Sequence, residues 1–323
     1  MSPVGGTTAR LAAFAAVLVA AFGSAWAVGA AVQPSAGSTG SSGSEPAVMD
    51  GHDDAGAGHD DAGAGHADAG AGHADNADNA AADDDDLPGL ARTVDGYSIE
   101  PVESTLTAGD GVPFAFRVTD PDGHAVTRYT EAHEKDLHLI VVRRDLSEFQ
   151  HVHPVLSGGG TWRVDLDLPR GGSYRAYADV VPTDLGRNVV LGTDLDVAGD
   201  YTPVALPGAA ASTTVDGYDV TLAGHPDPGV ETRLTFTVSR GGRPVGDLQP
   251  YLGAYGHLVT IRDGDLAYLH THPGEDARAG ESGGPDIEFM TTFPSAGTYR
   301  LFLDFQVGGQ VRTAKLTVEV GRH

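Results

Sequence analysis

The sequence predicts an all-β protein: two tandem immunoglobulin- or cupredoxin-like β-sandwich domains behind an N-terminal apolar helix and a disordered linker. Three observations carry that expectation. From about Thr93 the chain runs in short β-branched and aromatic stretches broken by Gly, Pro and Asp, the texture of a sandwich or barrel. Whole phrases then recur: Val94-Asp95-Gly96-Tyr97 returns as Val215-Asp216-Gly217-Tyr218, and SYRAYADV at Ser173 is answered by TYRLFLDF at Thr298. A 19-residue window also occurs twice, DLHLIVVRRDLSEFQHVHP from Asp136 and YGHLVTIRDGDLAYLHTHP from Tyr255. The copies agree at six of 19 positions, four of which are three histidines and the proline behind them.

Taken in order, residues 1–32 read as a membrane anchor or signal peptide. Arg10 precedes an uncharged run of 22 residues, Leu11 to Val32, and a spanning helix needs about 20. Ala25-Trp26-Ala27 supplies an A-x-A cleavage signal. Either reading sends the rest of the chain out of the cytoplasm, held by one helix or secreted. Residues 33–92 read as a linker, first a Gly/Ser/Pro tether and then a tract that places His52, His59, His66 and His73 seven apart. Heptads need apolar a and d positions, and Gly, Ala and Asp fill every slot here, so disorder is expected rather than a coiled coil. Two sandwich units follow, 93–200 and 214–321, joined by a Pro/Ala-rich stretch near Tyr201 to Thr213. Strands expected in the first unit include Phe114–Val118, His138–Arg143, Phe149–His153, Trp162–Leu166 and Tyr174–Val180.

Charge and cysteine count exclude several function classes. Of the net charge of −25, the stretch from Glu45 to Asp86 supplies 13, with no Lys or Arg. No basic stripe remains for a phosphate backbone, so nucleic acid is not an expected partner. The absence of cysteine removes disulfides, thiolate zinc sites, iron–sulfur clusters and a Cys-ligated blue-copper centre.

The repeated histidines point to metal. His151 and His153 lie two apart on a strand and share a face, as do His270 and His272. In the second unit Asp263-Gly264 suits a two-residue type I′ turn, which would pair Arg262 with Asp265 and His257 with His270. The first unit keeps the same 13-residue interval from His138 to His151. Any even-length loop leaves all three histidines of a unit on one sheet face. The metal ligands expected are therefore His138, His151 and His153 in one sandwich and His257, His270 and His272 in the other. Asp179 and Asp304 occupy matching places and are candidate acceptors for imidazole N–H groups behind the ligands. His52, His59, His66 and His73 are weaker candidates, as an antenna near the folded sites. His124, His133, His225 and His323 have no equivalents between units and read as surface histidines. Met290 could approach His257, but its counterpart in the first unit is Asp165, so it reads as packing.

Imidazole suits zinc, copper and nickel alike, and no cysteine accompanies it, so divalent copper or zinc is the expected cofactor. Two strands giving HxH plus one His also match three-His catalytic zinc, which would permit hydrolase chemistry. No general base or nucleophile accompanies the cluster, and no enzyme is expected.

LHLIVVRRDLSEFQHVHP, with GTWRVDLDLPRGGSYRAYADV after it, resembles exported bacterial proteins carrying cupredoxin-like or YtkA-like β-sandwich domains, which accompany heavy-metal handling systems. The resemblance spans both sandwich units. Lacking the Cys ligand of true cupredoxins, it implies binding, buffering or delivery of metal, with a metal transporter or another envelope protein as partner and copper ahead of zinc. The alternative is a cell-envelope interaction module with incidental histidines.

Overall fold

The structure is a computed structural model and describes residues 87–321, except His270 and Ala279. The apolar N-terminal run and the His/Asp-rich tract lie outside the described residues. Among the described residues no helix is long and apolar enough to cross a membrane.

The first repeat contributes β1 (Thr93–Val94), β2 (Tyr97–Pro101), β3 (Thr105–Thr107), β4 (Gly109–Thr119) and β5 (Leu137–Arg143), then β6 (Gln150–Val152), β7 (Val155–Ser157), β8 (Thr161–Leu168), β9 (Gly172–Val180) and β10 (Val189–Ala198). They form one sheet of order β1-β2-β4-β8-β7 and another of order β3-β10-β9-β5-β6. The second repeat contributes β11 (Ser212–Val215), β12 (Tyr218–Ala223), β13 (Glu231–Arg240), β14 (Arg243–Pro244) and β15 (Gly256–Arg262), then β16 (Tyr268–Leu269), β17 (His272–Pro273), β18 (Asp286–Thr292), β19 (Gly297–Val307) and β20 (Gln310–Val320). Its sheets run β11-β12-β13-β18-β17, with β14 on β13, and β16-β15-β19-β20. The all-β expectation holds, as two tandem sheet-based domains.

Each repeat buries its own core. In the first, Phe114, Phe116, Val118, Leu137, Leu139, Val141, Trp162 and Leu166 meet between the sheets; in the second, Phe236, Leu258, Phe289, Leu301, Leu303 and Phe305 do the same. The alternation in β4, where Phe114, Phe116 and Val118 point inward and Ala115 and Arg117 outward, is the period-two pattern of a strand with one buried face. The β19–β20 hairpin closes on Gly308-Gly309, both at positive φ (60° and 74°), with Val307 paired to Gln310. A two-residue loop of that kind needs a left-handed pair, which glycine adopts without strain.

A third cluster joins the repeats. All seven residues of β5 are buried. Leu137, Leu139 and Val141 face the first core, while Ile140 and Val142 face the other way and pack with Leu146, Phe149, Tyr177 and Val190 against Val259, Ile261, Leu266, Tyr268 and Phe302 of the second repeat. The Phe149 and Phe302 rings stack at 3.9 Å between centroids with planes 6° apart. Both sandwiches belong to one compact unit, and the faces of β5 and β15 turned away from their own cores meet in it. Strand parity then places His138, two residues before Ile140, and His257, two before Val259, on those meeting faces.

The hairpin after β15 differs from the expected type I′ turn. Thr260 pairs with Leu269 and Ile261 with Tyr268, a register two residues from the one a two-residue loop would set. The Arg262 N–H reaches the Ala267 carbonyl across four loop residues, Asp263 to Leu266. Asp265 accepts from the Arg262 guanidinium and, at 3.0 Å, from the Ala267 N–H. The wider loop lets Leu266 fall into the cluster between the repeats at 1% exposure, and that burial outweighs the local preference of Asp-Gly. In the first repeat the Arg143 N–H instead reaches the Ser147 carbonyl across three residues, Arg144 to Leu146, with Asp145 again accepting from the preceding guanidinium, Arg143, and from the Ser147 N–H.

Candidate metal centre

In the first repeat Ile140 pairs with His151 and Leu139 with Val152. His151 and His153 therefore share the face of His138, as an even-length loop requires. The nitrogens of His138, His151 and His153 all lie within 4.8 Å of one another. His138 Nδ1 is 3.0 Å from His151 Nε2 and 3.3 Å from His153 Nε2. Ligands at about 2.0–2.1 Å from a tetrahedral ion stand about 3.3 Å apart, so the trio already has ligand spacing.

Outer contacts decide which nitrogens are free. His138 Nε2–H donates to the Ala132 carbonyl at 3.0 Å, and His151 Nδ1–H donates to Asp304 Oδ2 at 2.9 Å. A carbonyl and a carboxylate can only accept, so each contact commits the proton of a neutral ring and leaves lone pairs on His138 Nδ1 and His151 Nε2. Those two lone pairs face each other at 3.0 Å. They repel unless a cation sits between them, either a proton or a metal ion.

Burial keeps His138 and His153 unprotonated. It lowers the pKa of His138 to about 4 and that of His153 to about 3, with repulsion from neighbouring imidazoles adding to both. The same two causes hold His257 well below the usual imidazole range. Neutral imidazole is the form that ligates metal.

The second repeat enters this site. The His257 ring centroid lies 5.3 Å from that of His138 and 4.8 Å from that of His151. Asp304, paired with His257 across β15 and β19, serves His151 of the other sandwich, and the Thr313 hydroxyl donates to its second oxygen at 2.5 Å. Asp179, paired with His138 across β5 and β9, accepts from the Asn188 amide at 2.5 Å and from the Tyr268 hydroxyl of the second repeat at 3.2 Å. His270 and the side chain of His272 lie outside the described residues, as do His52, His59, His66, His73 and His323.

His133, expected at the surface, is half-buried, with its ring 5.4 Å from His257 and 6.0 Å from His138. It occupies a tight turn at φ 49° between Ala132 and Lys135, and the turn's Ala132 carbonyl orients His138. The unbroken apolar run Leu139-Ile140-Val141-Val142 is the signal that could have shown this, since a strand without alternation is buried on both faces. His124 and His225 are exposed, as expected. Met290 pairs with His272 and Arg233, out of phase with the inward Ile287 and Phe289.

Beside His153 opens a cavity of about 630 Å³ lined by Val102, Glu103, Phe114, Val155 and Arg163.

Among solved structures the chain is similar to FdeC, an Escherichia coli adhesin, at 16% identity over 71% of this chain and 65% of that one, with a TM-score of 0.24. It is similar to the BSP domain of a biofilm associated protein at 12% identity over 70% and 30%, TM-score 0.21, and to the D0-D1 domain of intimin at 10% over 69% and 97%, TM-score 0.20. At such TM-scores the likeness carries no argument about mechanism. No curated protein matches the chain. One family model matches twice, over residues 92–197 and 213–322, and the chain therefore belongs to the family described as "Domain of unknown function (DUF8832)".

Proposed function

We propose that this protein binds a divalent metal ion at His138, His151 and His153, outside the cytoplasm and without catalysing a reaction. The observation that carries the reading is the approach of His138 Nδ1 and His151 Nε2 to 3.0 Å, while the other nitrogens of the two rings face the Ala132 carbonyl and Asp304. An all-imidazole donor set takes copper(II) or zinc, with copper ahead by the general order of divalent affinities. Buffering or delivery to a transporter or another envelope protein is the role that fits a non-redox site.

The test is calorimetric titration of copper(II) and zinc into the full chain carrying His52→Ala, His59→Ala, His66→Ala and His73→Ala. A companion also carries His138→Ala, His151→Ala and His153→Ala. Tight binding by the first and its loss in the second is the expected result; equal binding by both defeats the proposal.

A second reading is an interaction module of the cell envelope. It is favoured by β7, an edge strand whose Val155 is 71% exposed beside the cavity next to His153. Such an edge can accept an added strand from an extended peptide. Under this reading neither metal binds tightly, and Val155→Pro abolishes capture of the partner.

A further inference from the structure

We infer that the metal site is closed across the sandwich interface, with His257 of the second repeat supplying a fourth imidazole to the ion held by His138, His151 and His153. The inference rests on the metal-binding reading above and adds the ligand that makes the site a property of both sandwiches.

Ring spacing carries it. An imidazole centroid lies about 1.1 Å behind its nitrogen, so rings on one tetrahedral ion at about 2.0–2.1 Å have centroids about 5.2 Å apart. Within the trio the centroids stand 5.3, 5.0 and 5.1 Å apart. His257 stands 5.3 Å from His138 and 4.8 Å from His151, the same spacing. His133 stands 6.0 Å from His138 and touches the group through His257, at 5.4 Å. The second repeat is already committed to the site through Asp304, which lies opposite His257 in the β15–β19 register and holds His151 by its Nδ1–H. One rung of that sheet thus delivers a carboxylate behind one ligand and a further imidazole in front. A filled site bridges the two sandwiches, and metal occupancy becomes coupled to their docking.

The test uses zinc bound to the full chain with the four tail histidines changed to Ala, read by X-ray absorption for the number of coordinated imidazoles and by competition titration for affinity. The parent is expected to show four imidazoles. His257→Ala, and His257→Phe, which keeps a planar ring in the same space, are expected to show three and to bind zinc about tenfold or more weakly. His225→Ala, at an exposed histidine, is expected to leave both measurements unchanged. A parent with three imidazoles whose count and affinity survive both His257 substitutions overturns the inference while leaving metal binding intact. A parent that takes up neither zinc nor copper overturns the metal-binding reading as well.

Discussion

Replacing Asp304 by Asn preserves the side chain's size and removes the charge that orients His151. The Asp304 and His151 side chains are only 3% and 2% exposed, so no water replaces the lost contact. The carboxylate accepts the His151 Nδ1–H at 2.9 Å and the Thr313 hydroxyl at 2.5 Å. An amide can turn its NH2 towards the ring, whereupon His151 carries its proton on Nε2, the nitrogen that faces His138. That tautomer cannot ligate through Nε2. Loss of such an outer partner weakens metal binding by about 10- to 100-fold, or about 1.4–2.8 kcal/mol at about 1.4 kcal/mol per tenfold. The assay is competition against a chromogenic zinc chelator, comparing Asp304→Asn with the parent. Denaturant melts without metal measure stability separately, where a hydrogen bond to a charged group contributes about 1.5–3 kcal/mol. A metal affinity unchanged in Asp304→Asn refutes the tautomer argument, whatever the melts show.

Acid should destabilise the metal-free protein. His138 and His153 titrate at about 4 and about 3 in the fold, below the 6.5 of a free imidazole, so the unfolded chain binds more protons in between. Stability is then intact above about pH 6.5 and falls as the pH drops towards those values; a flat urea midpoint over that range contradicts the burial argument. Metal uptake at neutral pH should displace no proton from His138 or His153, which are already neutral there, giving a calorimetric enthalpy that does not vary with the ionisation heat of the buffer, and a clear buffer dependence counts against neutral ligands. Phe302→Ala should cost about 3–5 kcal/mol in denaturant melts, because the ring is fully buried against Phe149 between the repeats; a cost below about 1 kcal/mol would mean that the interface contributes little. Stripping the metal with a chelator should lower the melting temperature, since an ion present at 100 times its dissociation constant stabilises by about 2.7 kcal/mol.

Much of the site was legible as letters. The period-two geometry of strands puts His151 and His153 on one face, and the 13-residue interval with an even loop adds His138. Asp179 and Asp304 stood out because they occupy the same place in two diverged copies. The loop after β15 was not legible, because Asp-Gly favours a tight turn locally and only the buried Leu266 shows why a wider one forms. His133 was missed because its role depends on a turn that comes near His257 only after the sandwiches dock.

By itself the sequence determined the all-β character, the tandem repeat and the shared face of His138, His151 and His153, since all three follow from local periodicity and repetition. Only the tertiary structure decided that the histidine faces of β5 and β15 meet each other instead of water. It also decided that Asp304 of one sandwich orients His151 of the other. Both depend on contacts between residues more than 100 positions apart, where the free energy comes from burying two apolar faces together, and no local pattern encodes which face will find which partner.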